Sequence, residues 1–166
     1  MSVKLAFWIL GGLLWATAAN AADRVRLIDV EAELRSDFPR SKVQSFECSG
    51  AMCKGLVSHP MPDGDTFGVT FIVERDSSEN VQTISCMMMA PSMTDDAAGS
   101  AYAAAVYAAS AVSVISVTSP HFKTGERLPF ALRTVDAGNR GIDDAGWHFS
   151  AGSSIVSTFS AKRTSP

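Results

Sequence analysis

The clearest alternation in the chain runs over residues 66–74, where Phe67, Val69, Phe71 and Val73 fall on one side of an extended segment and Thr66, Gly68, Thr70 and Glu74 on the other. A strand with one apolar and one polar face belongs in an antiparallel sheet that buries one side and wets the other. Shorter runs of the same kind flank it at residues 42–48, 53–58 and 81–89. The separators Ser49-Gly50-Ala51-Met52, Pro60-Met61-Pro62-Asp63-Gly64-Asp65 and Asp76-Ser77-Ser78-Glu79 are rich in turn formers. Four consecutive antiparallel strands are therefore predicted.

Before these strands the period is helical. Leu27, Val30, Leu34 and Phe38 recur every three or four residues, Asp23 stands where an N-cap belongs, and Pro39 restricts Phe38 and ends the segment. After the strands, Ser92 and Asp95 have the spacing of a capping box, and Asp95 and Asp96 suit the positive end of a helix. An alanine-rich run without charge then extends to Lys123. A helix apolar all round belongs in a core, and Gly99, Ala103, Ala104 and Ala108 give this one a flat side for close approach to a sheet. Its β-branched, alternating tail at 112–118 predicts that it stops well before Pro120. Further strands are expected at 130–135, 147–151 and 154–161, with Gly138, Asn139, Gly141 and Gly146 marking the loop between the first two. This order of elements predicts an α+β fold: an antiparallel sheet of about five to seven strands, with an N-terminal helix and a central Ala-rich helix packed on one face.

The N-terminus changes where such a domain is expected to work. Lys4, the apolar run from Leu5 to Trp15, and Ala19-Asn20-Ala21 form the charge, apolar core and small-residue site of a cleavable signal peptide, residues 1–21. The run is shorter than the roughly 20 residues a spanning helix needs, and no basic stop-transfer cluster follows it. The expected product is one domain, residues 22–166, periplasmic or secreted, with no transmembrane segment left after cleavage. The chain has 14 Lys and Arg against 17 Asp and Glu; without Lys4 that is 13 against 17, a net −4. Mild acidity without a basic block argues against nucleic acid and anionic lipid as partners, since both need clustered cations.

Three cysteines in an exported chain predict one disulfide and one free thiol. Cys48 and Cys53 enclose four residues, so a hairpin there sets them opposite each other, about 4.5–5.5 Å apart and inside the disulfide range. Their spacing is not the C-x-x-C of a redox pair. In Cys86-Met87-Met88-Met89, pairing through a four-residue turn sets Cys86 opposite Val69 and Met88 opposite Phe67, on the apolar side. Met87 and Met89 then face outward, and with Met93, or with His59 and Met61, they offer soft sulfur to Cu(I). Core filling or a contact surface is the plainer role for such methionines.

His59, His121 and His148 show no HxxxH or HExxH spacing, no serine lies in a G-x-S-x-G elbow, and residues 136–144 lack the alternating oxygen ligands of an EF-hand loop. No catalytic residue, metal ligand or cofactor is assigned. The reading that remains is an exported non-catalytic module that binds a protein or small apolar ligand on its sheet or along the Ala-rich helix. The alternatives are a Met/Cys-based copper-handling protein and a small serine hydrolase built on His121 or His148, since triad members need only meet in space.

Overall fold

The computed structural model of the chain describes residues 24–61, 64, 66–89, 97–153 and 156–164. The expected signal segment, Asp23, Met93 and the capping pair Ser92 and Asp95 lie outside the described residues. Helix α1 (Leu27–Asp37) is followed by strands β1 (Lys42–Val43), β2 (Glu47–Ser49), β3 (Met52–Pro60), β4 (Thr66–Arg75) and β5 (Val81–Met89). Helices α2 (Ala97–Thr118) and α3 (Thr124–Ala137) come next, then a 3-10 turn (Gly138–Arg140) and strands β6 (Ile142–Asp144), β7 (Trp147–Ser153) and β8 (Val156–Arg163). The strands form one antiparallel sheet in the order β1-β3-β4-β5-β8-β7-β6, with β2 also paired to β3. The fold is α+β, as the periodicity predicts, with eight strands and three helices among the described residues.

Register explains where the core sits. Gly55, Phe71, Cys86, Phe159 and Ala151 lie in one row across five strands, and Cys53, Val73, Ile84, Ala161 and Phe149 in the next. All but Gly55 belong to the buried apolar cluster, together with Val30, Leu34, Val106, Val114, Ile115 and Phe130 from the helices. The opposite face carries Thr70, Met87, Thr158 and Gly152 in one row and Ile72, Ser85, Ser160 and Ser150 in another. That alternation of period two makes the sheet two-sided: helices over one face, half-buried side chains, most of them small or polar, on the other.

The helices begin alike. The backbone N–H of Arg26 donates to the Asp29 carboxylate at 2.9 Å, and that of Lys123 to the Glu126 carboxylate at 2.9 Å. An acid three residues into a helix satisfies a donor that would otherwise have no partner and complements the positive end. The stripe expected on α1 is present: Val30 and Leu34 are buried, Phe38 caps the C-terminus, and Pro39 follows.

Cys48 and Cys53 are joined in a disulfide across the β2–β3 hairpin, with Cα atoms 4.0 Å apart. The ladder extends to Ser49 and Met52, so the turn itself is only Gly50 and Ala51. Gly50 there has φ +60°, a conformation that glycine adopts without the cost of a Cβ. Cys86 is the one free cysteine among the described residues; it is buried, and burial pushes its thiol up to about 12. It therefore behaves as a small hydrophobe in the core.

Four expectations need correction. Residues 42–48 are not one strand, because the Phe46 N–H turns to the Glu31 carboxylate at 2.8 Å while its ring lies against Gly55, where a Cβ would sit 2.9 Å from it. Cys86 pairs with Phe71 rather than Val69. The pairing lies two residues from the expected one, of which the irregularity at Glu74/Arg75 contributes one, and a slip of two preserves every residue's face. Residues 130–135 are helical: Phe130, Ala131 and Thr134 are buried at helical spacing, although Phe130, Leu132 and Thr134 also alternate as a strand would. Finally, α2 continues to Thr118. Of its buried hydroxyls, Ser110 and Thr118 bond back one turn, to Val106 O (2.9 Å) and Val114 O (2.8 Å), while Ser113 and Ser116 reach carboxylates of α1.

Candidate functional site

Helix α2 is buried on one side only. Ala103, Val106, Ser110, Ala111, Val114 and Ile115 turn inward, whereas Ala101, Ala104, Ala105 and Ala109 are exposed. Of the flat side expected to meet the sheet at Gly99, Ala103, Ala104 and Ala108, Ala103 is buried in the core, whereas Ala104 is exposed and Gly99 and Ala108 are half-buried. Past Val112 the outer side is covered by side chains of α1 and α3: Ser113 donates to the Asp37 carboxylate at 2.6 Å, Ser116 donates to Glu33, and Arg127 lies 3.9 Å from Glu33. Before Val112 that cover ends. The step leaves a cleft of about 470 Å³, floored by Ala105, Ala108, Ala109 and Val112 and walled by Phe38 and Leu128, with Asp37 as its one charged lining residue. Clefts of several hundred Å³ with mostly apolar walls and a few placed polar groups are the usual form of a small-ligand site.

Asp37 follows Glu33 by one turn of α1, so both carboxylates reach the α2–α3 junction. Although Asp37 is exposed, the atoms packed around its carboxyl desolvate it enough to raise its pKa, and the Ser113 hydrogen bond opposes that shift. Glu33 and Arg127 act in opposite directions on it, the acid raising and the cation lowering it. Leu128 stands 45% exposed at the mouth, and Leu132 (54%) and Val135 (43%) continue the apolar surface along α3 at spacings of four and three. Leu132 and Val135 lie within residues 130–135, where alternation predicts a strand and the chain is helical.

Behind the Phe38 wall lies His59, whose ring meets the Phe38 ring edge-on at 4.9 Å. The imidazole has almost no accessible surface, its Nδ1 is 2.9 Å from Ser41 Oγ, and its Nε2 has no hydrogen-bond partner among the described residues. Burial lowers its pKa below 6.5. A neutral histidine of this kind contributes stability that is complete above its unfolded pKa and is lost as pH falls through the folded one. We expect the denaturation midpoint to fall from pH 7.5 to 5.5, no more steeply than the about 1.4 kcal/mol per pH unit of a single site. His59→Gln should flatten that loss; parallel pH profiles for the two proteins would rule His59 out as its source.

The remaining candidates are placed as follows. Met87 is on the open face of the sheet and His59 on the helix-covered face, so the sheet separates two of the groups proposed to share a copper ion. The side chain of Met89 lies outside the described residues, and Met61 packs against the core. No group of three or more His, Cys, Asp or Glu side chains among the described residues could hold a metal ion. His121 Nε2 lies 3.3 Å from Asp144 Oδ2, and Ser119 donates to the same oxygen at 2.9 Å. The serine proton is thus aimed at the carboxylate, and Ser119 has no exposed surface. His148 is fixed by Asp143 at 2.7 Å, with its ring against Gly141. Among the described residues neither histidine forms a hydrogen bond with a serine, the contact a serine nucleophile needs for activation.

Comparison with known protein families, with curated proteins and with solved structures finds no match to this chain.

Proposed function

We propose that the chain is an exported, non-catalytic binding module that holds a small apolar ligand in the cleft on the outer side of α2. The observation that carries this reading is the cleft itself. Over two turns the central helix contributes Ala105, Ala108, Ala109 and Val112 to its floor, between Phe38 and Leu128. Alanine contributes little surface beyond its Cβ, so an apolar body can approach the helix backbone closely and displace water from both walls. Export is supported by the Lys4, apolar and A-x-A pattern of the first residues and by the Cys48–Cys53 bond, a type of cross-link that persists in oxidising compartments.

The test uses an uncharged apolar fluorophore, N-phenyl-1-naphthylamine, with protein recovered from the exported fraction. Its emission should rise on binding. Ala108→Trp fills the floor from outside the core and should weaken binding at least tenfold while leaving the denaturation midpoint in place. Emission unchanged by the protein, or binding indifferent to Ala108→Trp, would remove the proposal.

A further inference from the structure

Resting on that reading of the cleft, we infer that its ligand is a cationic amphiphile: an alkyl or aryl body on the α2 floor and a protonated amine against Asp37. Four observations lead there. Asp37 is the one charged residue lining the cleft, where every other lining side chain is apolar. Its Oδ2 accepts the Ser113 hydroxyl at 2.6 Å, so the carboxylate is held in place at the apolar wall. No ion pair within 4 Å engages it among the described residues, and the nearby cation Arg127 is divided between Glu33 at 3.9 Å and the Phe122 carbonyl at 3.3 Å. Glu33 stands one turn before Asp37 on α1, so this end of the cleft holds two acids against one base.

The chemistry follows from those placements. Asp37 is itself exposed at the rim of that apolar wall, so its carboxylate is open to a ligand's head group and attracts a cation through charge. A neutral hydroxyl donates a hydrogen bond to the carboxylate but brings no opposite charge, and a carboxylate or sulfate amphiphile meets like charge. At an exposed carboxylate the added charge pairing is a surface ion pair, which predicts a preference of about threefold for the ammonium. No bond is made or broken, so binding is reversible and changes neither partner.

The experiment is displacement of bound N-phenyl-1-naphthylamine by decylammonium, decanol and decanoate, three ligands with the same chain length, each below its aggregation concentration. Decylammonium should displace the probe at about one third of the decanol concentration, and decanoate should be the weakest. Asp37→Asn should bring decylammonium to the level of decanol, while Asp136→Asn, which removes an exposed acid outside the cleft, should preserve the preference. Raising the ionic strength should narrow the gap in the unaltered protein, an independent sign that charge causes it. Equal displacement by decylammonium and decanol, or a preference that survives Asp37→Asn, overturns the cationic assignment and leaves an apolar cleft. If the probe does not bind at all, the cleft reading fails, and the assignment with it.

Discussion

Replacing Phe149 with alanine should lower stability by about 3–5 kcal/mol, the usual cost of truncating a fully buried aromatic ring. Phe149 has no exposed surface. Its ring meets Phe130 of α3 edge-on at 5.0 Å and Phe159 of β8 at 6.3 Å, and Phe130 in turn meets Phe122 at 4.8 Å. The substitution therefore opens a void where the third helix is seated on the sheet, and it also forfeits the roughly 0.5–1.5 kcal/mol of each aromatic pair beyond area burial. Against a typical total of 5–15 kcal/mol, that loss approaches unfolding for a marginal domain. Urea denaturation followed by tryptophan fluorescence measures it, Trp147 being buried two residues away. A loss below about 1 kcal/mol would show that α3 is held by other contacts.

Gly141→Ala should cost at least about 2 kcal/mol, through the backbone rather than the core. Gly141 follows the 3-10 turn with φ +65° and ψ −174°, in a region essentially reserved for glycine. A Cβ there would run into the Phe149 carbonyl and the His148 ring, so both conformation and space oppose it. Gly50→Ala is the matched comparison. Gly50 also has a positive φ, +60°, but a Cβ there meets nothing within 4 Å, and its cost should stay at about 1 kcal/mol. Similar denaturation midpoints for the two variants would mean that the contact at Gly141 yields without penalty.

Where one residue pattern admits one geometry, the fold was legible in the chain. The alternation of Phe67, Val69, Phe71 and Val73, the C-x4-C spacing and the stripe on α1 each correspond to a single periodic structure, and each is found. Phe130 to Val135 fits both periods over so short a run, and the better signal lay upstream, in Glu126 three residues after Lys123. The tail of α2 misleads for a different reason. Val112, Val114 and Ile115 have strand propensity, but packing against the sheet and hydroxyls satisfied by their own helix override it. The cleft was only half legible. An Ala-rich helix suggested a close-packing surface, yet which side would stay bare depends on where α1 and α3 end. Asp37 carries no motif at all, being one acid near the end of an ordinary amphipathic helix.

The strand order has a kinetic meaning as well. β5 and β8 are neighbours in the middle of the sheet, but the hydrogen bond between the Ser85 and Ser160 hydroxyls joins residues 75 positions apart, with both later helices lying between them in the chain. Strands β1 to β5 form one meander of local hairpins and β6 to β8 another. Each meander can assemble at little loop-closure cost; their seam cannot. Search for that single junction is the step that topology makes slow, placing the protein among chains that fold in milliseconds to seconds. Until it closes, the edge of β5 lies open beside Cys86 and Met88, the moment at which an emerging chain most needs protection from self-pairing.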